Sequence, residues 1–155
     1  MKVTNKYIFF FGEEPFSNFT PCLIRYGSNT FISSEQLFMY KKAVFFGDMN
    51  TASKILMADS PKEAKRLGRK VKPFDAEEWS KVSFDIMKNV VALKFEQNPR
   101  LRNELLKYST GTFVEASPWD RIWGIGFNEN EAIQNEERWG KNLLGKILTD
   151  IRDEN

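Results

Sequence analysis

The chain contains no histidine and only one cysteine, Cys22. An internal disulfide is therefore impossible, and so is a zinc site built from paired cysteines and histidines. A chain of this kind has to hold its fold by burying apolar surface. With 155 residues it is long enough to bury about two-thirds of its unfolded surface, and one domain, 1–155, is expected. The material for a core is there: hydrophobic residues make up 41%, with 14 Phe, 4 Trp and 4 Tyr, which a disordered chain would lack. No apolar run approaches the ~20 residues of a membrane span. The stretch Met1–Gly12 has no small-residue cleavage site of a secretory leader. A cytoplasmic protein with no membrane partner is expected.

The missing histidine also limits the chemistry. It excludes every His base, His-bearing triad and His metal ligand. Any acid–base catalysis must come from Asp, Glu, Lys, Tyr or Cys. The net charge of +2 implies neither general nucleic-acid binding nor its absence.

Short strands are predicted first. Lys6–Phe11 is a continuous apolar run, and Cys22–Tyr26 with Thr30–Ile32 forms a hairpin about the turn Gly27-Ser28-Asn29. The character then becomes helical. Ser33 and Gln36 form a capping box for a buried helix from Ser34 to about Phe46. A second helix spans about Met49–Met57. Ser60-Pro61-Lys62-Glu63 starts a third, which Gly68 closes as a C-cap. The longest helix begins at Asp75 and runs to about Gln97, with Trp79, Val82, Ile86, Val90 and Leu93 as its apolar stripe. A short helix from Asn98-Pro99 to Leu106, a strand Thr112–Glu115 and a final helix carrying Leu143, Leu144, Ile147, Leu148 and Ile151 complete the chain. The predicted class is α+β: helix-rich, with a small, mostly antiparallel sheet.

Four features could carry chemistry. Glu35 lies in the first turn of a buried helix, and Lys42 shares its face about 10 Å further along the axis. Glu35 either complements the helix dipole or is a catalytic carboxylate with a cation near it. The run Ser117–Gly126 sets Trp119 and Trp123, Gly124 and Gly126 around Asp120, a composition suited to a flat aromatic ligand. Asp120 either turns the chain or acts as a general acid or base. Lys62, Lys65, Arg66, Arg69, Lys70 and Lys72 face one acid, Glu63; they form either a solvated helix face or a wall for phosphate, with Arg69 able to turn inward beyond Gly68. Lys94 falls on the apolar side of the longest helix, where it either snorkels past the core rim or lines a polar cavity; the cavity is favoured.

These pieces occur in a telling order. Phe16-Ser17-Asn18-Phe19 comes first, then Ser34-Glu35-Gln36 with Lys42, then Leu67-Gly68-Arg69. Trp79, Val82, Met87, Ala92-Leu93 and Lys94-Phe95 follow. Ser117-Pro118, Asp120, Trp123-Gly124, Gly126 and Asn142-Leu143-Leu144-Gly145 end the set. In this order they resemble the NADAR family of YbiA-like N-glycosidases, from about Tyr7 to Arg152.

The resemblance implies an α+β enzyme that hydrolyses N-glycosidic bonds with no metal and no cofactor. Its substrate would be a small phosphoribosyl or ADP-ribosyl compound, such as a phosphoribosylamino-pyrimidine intermediate of riboflavin synthesis. Removal of ADP-ribose from guanine, including ADP-ribosylated DNA, is the alternative, and a non-catalytic ADP-ribose-binding module is a further one. Glu35 and Asp120 match catalytic positions, and Trp79, Trp123 and Gly124 match positions about the base. Arg69 and Lys94, with Lys42, match basic positions suited to a sugar phosphate, and Asn18 and Asn142 match polar positions near the pocket. Oxocarbenium-like chemistry agrees with a site that has carboxylates and no histidine. The long segment Phe127–Trp139 is open to a lid or substrate-selecting role.

Overall fold

The computed structural model describes residues 1–12 and 15–155 and resolves the chain into two compact units. One unit comprises residues 1–17 and 100–155; the other comprises residues 18–99. The fold is helix-rich α+β, as the sequence predicts.

The first unit is built around a three-stranded sheet in the order β1 (Lys2–Val3), β2 (Tyr7–Phe10), β5 (Thr112–Glu115). The β1 strand, unforeseen in the sequence, pairs antiparallel with β2. The β2–β5 pairing is parallel, with Phe9 opposite Val114. Both strands are apolar on both faces, as expected of strands covered on both sides. Phe16 stacks within 5.3 Å of Phe10 and 5.1 Å of Phe113, and Phe9 packs with Val114, Ala116, Ile125 and Ala132. The last helix, α6 (Leu143–Asp153), lies against β5 and buries Leu144, Ile147, Leu148 and Ile151, as their helical spacing predicts. It also closes the outer edge of the sheet. Thr149 Oγ1 accepts from Phe113 N at 3.0 Å and Asn142 Oδ1 accepts from Glu115 N at 2.9 Å, so the edge strand offers no free ladder there.

Residues 127–139 belong to the same unit. A kinked 3₁₀ segment, Ile133–Arg138, precedes Trp139, whose indole packs edge-on against Tyr7 and Phe9 and donates to Ala132 O at 2.8 Å. Tyr7 Oη donates to Glu136 Oε2 at 2.7 Å. The segment is thus packed onto the core of its unit.

The second unit centres on α1 (Ser34–Phe45). Around it pack α2 (Met49–Leu56), α3 (Pro61–Gly68) and α4 (Ala76–Gln97), with the hairpin of β3 (Ile24–Tyr26) and β4 (Asn29–Phe31) beside α1 and α4. The cap residues read from the sequence hold: Ser33, Ser60 and Asp75 each accept from the backbone N–H three residues on. The short helix α5 (Pro99–Leu106) follows α4.

Two expectations need correction. Gly68 does end α3, but it is not a left-handed cap; Gly12, Gly27, Gly47, Gly111 and Gly126 have positive φ among the described residues. Gly68 is needed for space, since a Cβ there would run into the side chain of Met39 on α1. The buried face of α4 is also not the predicted stripe. Ser83, Met87, Val90, Val91, Lys94 and Phe95 are buried, while Trp79, Val82, Ile86 and Leu93 are only partly covered. The true face lies roughly a quarter turn round the helix axis.

Candidate active site

In the unit of residues 18–99, the loop 18–22 wraps the N-terminus of α1. The first backbone N–H groups of a helix lack intrahelical acceptors. Here the Ser34 N–H faces the Cys22 sulfur, the Glu35 N–H donates to Asn18 O at 3.0 Å, and the Gln36 N–H donates to Ser33 Oγ at 3.1 Å. Gln36 does not complete the predicted capping box. Its Oε1 accepts from Ile32 N and its Nε2 donates to Ile55 O, which ties the entry of α1 to the end of α2. Glu35 is held in this frame with only 8% of its surface exposed.

Two turns on, Lys42 is half-buried. Its Nζ donates to Gly68 O at 2.9 Å and lies 4.7 Å from the centre of the Phe74 ring. Burial pushes its pKa below the ordinary lysine value; Glu35 opposes that fall and Arg69 adds to it. Glu35 and Arg69 thus act in opposite directions on the Lys42 amine. Arg69 is exposed rather than turned inward. Trp79 joins Phe38, Phe45 and Phe46 in an aromatic cluster with ring centres 5.4–6.0 Å apart. Lys94 is fully buried, which excludes snorkelling; its Nζ lies 5.2 Å from the Phe95 ring and its charge is felt by Cys22. The Cys22 thiol is pushed up in pKa by burial despite that charge.

In the unit of residues 1–17 and 100–155, Asp120 makes a turn: its Oδ1 accepts from Ile122 N at 2.9 Å and from Trp123 N at 2.8 Å. The carbonyls of Ile122 and Trp123 in turn accept from the Leu143 and Leu144 N–H groups at the start of α6. Gly124 is buried because β5 needs the space; a Cβ there would meet Glu115 O. On its Cβ side this glycine is therefore close-packed within the protein. Asn142 is similarly engaged. It takes a left-handed conformation at φ 52, and its amide bonds Glu115 N and Phe113 O of β5. Trp119 is 84% exposed, and Trp123 is partly exposed.

The expected residues thus fall into two sets: Asn18, Glu35, Lys42, Arg69, Trp79 and Lys94 in one unit, and Asp120, Trp123, Gly124 and Asn142 in the other. The sequence reading missed Phe74 under Lys42, the Gly68 carbonyl that holds it, and Ser34 and Met87 beside Asn18. Ser34, Gly68 and Met87 stand in the ordered set that carries the family resemblance, without a site role of their own; Phe74 carried no such signal. An open groove lined by Met57, Arg66 and Leu67 contains none of the expected residues. Among the described residues no three His, Cys, Asp or Glu side chains are grouped to hold a metal ion, and no helix is long and apolar enough to cross a membrane.

Comparison with known proteins identifies the family. The NADAR domain family matches residues 9–154. N-glycosidase R617 of Acanthamoeba polyphaga mimivirus is 42% identical, over 98% of this chain and 98% of its own. The riboflavin biosynthesis protein VVA0006 of Vibrio vulnificus is 30% identical over 89% of this chain and 34% of its own. Among solved structures, the NMR structure of the E. coli protein YbiA is similar with a TM-score of 0.79 and 29% identity, covering 99% of this chain and 86% of that one.

Proposed function

This chain belongs to the NADAR family, and we propose that it is an N-glycosidase that hydrolyses the bond between a phosphorylated ribose and an amino-pyrimidine or guanine-type base. In such a reaction water adds to the anomeric carbon, the C–N bond breaks, and the leaving nitrogen takes up a proton. The transition state carries oxocarbenium-like positive charge. A carboxylate can stabilise that charge or accept the proton of the water.

The observation that carries the reading is Glu35: a carboxylate with 8% exposure, its backbone N–H fixed by Asn18 O, whose charge acts on the half-buried Lys42 of the same helix. Lys42 and Arg69 supply positive charge for a sugar phosphate, and Trp79 with its neighbouring rings supplies a stacking wall. Asp120 and Trp123 are assigned to the reaction on the strength of the motif they share with the family. The relative named for riboflavin biosynthesis supports a small phosphoribosylamino-pyrimidine as substrate.

The decisive experiment is turnover of that compound by the wild type and by Glu35→Gln. The variant should fold normally and lose at least about 100-fold in kcat, the scale of general acid–base work. Near-native hydrolysis would remove Glu35 from the mechanism.

A second reading, ADP-ribosylated guanine in DNA, draws on the exposed Lys62, Lys65, Lys70 and Lys72 around α3. Arg66 counts less, because its guanidinium is paired with Glu63. Phosphate contacts release counterions, so DNA turnover through this surface would fall steeply with salt and with reversal of charge at Lys62 and Lys65. Turnover of the small compound would respond to neither change.

A further inference from the structure

We propose that Ser34 is a positioning residue that sets the amide of Asn18 so that its NH₂ group donates to an acceptor oxygen of the substrate beside Glu35. This rests on the reading of Glu35 as the catalytic carboxylate.

The hydrogen-bond geometry supports the assignment. Ser34 is completely buried, and its Oγ lies 2.9 Å from Asn18 Oδ1 and 3.3 Å from Asn18 O. Both are acceptors, so the single hydroxyl proton goes to them, chiefly to Oδ1. That places Asn18 Nδ2 toward Met87 Sδ, at 3.6 Å. The opposite amide orientation would set Oδ1 against the thioether sulfur, two acceptors with no proton between them. The Met87 sulfur therefore selects the orientation, and the Ser34 hydroxyl holds it through the bond to Oδ1.

A thioether is a weak acceptor, and an amide NH₂ has two protons to give. The second has no acceptor among the described residues, and Asn18 is partly exposed. The same residue is fixed from behind, because its carbonyl accepts the Glu35 N–H at 3.0 Å. The Ser34 N–H faces the Cys22 sulfur, so the serine backbone is also held. Donor and carboxylate are thus mounted on one frame. A group that can only donate selects a hydroxyl or carbonyl oxygen of the substrate. Hydrogen bonds to a sugar hydroxyl are the kind that strengthen as the oxocarbenium-like state forms.

The test combines kinetics with a readout that does not depend on turnover. The kinetic arm measures kcat and KM on a phosphoribosylamino-pyrimidine for wild type, Ser34→Ala, Asn18→Ala and the double variant. The other arm follows the Asn18 side-chain amide resonances by NMR. Ser34→Ala should lower kcat/KM about tenfold, the scale of one hydrogen bond, and should shift or broaden the Asn18 amide signals. In the Asn18→Ala background it should add nothing, since a residue that acts through another has no effect once that one is gone. Additive losses, or Asn18 signals that do not move in Ser34→Ala, would overturn the proposal. If Ser34→Ala fails to fold, Asn18→Asp decides: it keeps the acceptor for Ser34 and removes both the bond to Met87 Sδ and the donor to substrate, so a loss of at least about tenfold in kcat/KM is expected in the folded variant, and full activity would overturn the proposal. If the amide signals respond but the wild type hydrolyses no N-glycosyl compound, the glycosidase reading fails and the positioning of Asn18 by Ser34 stands.

Discussion

Lys42 shows how one side chain reports on the site. It is half-buried, bonded to a carbonyl and pulled in opposite directions by Glu35 and Arg69. Burial dominates, so the amine should lose its proton below the ordinary lysine range, and Glu35→Gln should lower that pH further by removing the one opposing charge. Side-chain NMR titration of Lys42 in both proteins checks this. A folded pKa below the unfolded one means that the unfolded chain binds more protons in the window between them, so the Lys42 contribution to stability rises with pH there. An unchanged titration in Glu35→Gln would show that the two groups are not coupled. Asp120 gives a cleaner substitution. Asparagine keeps the Oδ1 that accepts from Ile122 N and Trp123 N, so Asp120→Asn should fold like the wild type. If the charge takes part in the reaction, kcat should fall by about 100-fold. Full turnover would leave Asp120 as a turn residue alone.

At the scale of elements, two helix N-termini organise the expected site residues. The carbonyl of Asn18 caps the start of α1, and those of Ile122 and Trp123 cap the start of α6. In both cases the N–H groups that would otherwise bind water or an anion hold a loop in place. The seat of α6 is especially tight. A Cβ on Gly145 would strike Phe113 O and the Asn142 amide, neither of which is a free chain end that can swing away. Gly145→Ala should therefore cost about 3 kcal/mol, the upper range for overpacking, as read by urea denaturation. A loss below about 0.5 kcal/mol, the level of a surface change, would show that α6 can slide on β5.

Over the whole molecule, the first unit is assembled from both ends of the chain. The parallel pairing of β2 with β5 joins Tyr7–Phe10 to Thr112–Glu115, so this sheet forms only when distant segments meet. Phe9 is at the centre of that core and fully buried. Phe9→Ala should cost about 3–5 kcal/mol in denaturant unfolding, as large-to-small core changes do. A near-neutral effect would mean that the sheet is not central to this unit. The composition of the chain makes its own prediction: with no histidine and one cysteine, hydrolysis should be unaffected by a strong chelator. Activity lost to the chelator and restored by a divalent ion would contradict a metal-free mechanism.

Local chemistry was legible in the sequence. Cap residues at Ser33, Ser60 and Asp75 and the apolar run of β2 act over a few residues and stand where the sequence places them, and the hairpin forms about a turn shorter than predicted, Gly27-Ser28, because Asn29 pairs with Tyr26. The order of Glu35, Lys42, Arg69, Trp79 and Lys94 carried the family resemblance for the same reason, because side-chain chemistry is written residue by residue. What depends on neighbours from afar was not legible. The buried face of α4 includes Ser83 and Lys94, which hydropathy counts as polar, so the apolar stripe pointed elsewhere. Gly68 and Gly124 read as conformational or ligand-admitting glycines, yet each is small because another segment, Met39 or Glu115, occupies the space of its missing side chain. Nothing in the sequence signalled that the edge of β5 engages both ends of the Asn142 amide. A sequence determines which groups are available and which turns they favour. Only the packed chain decides which hydrogen bonds are already made and which donors, like that of Asn18, are left to face a substrate.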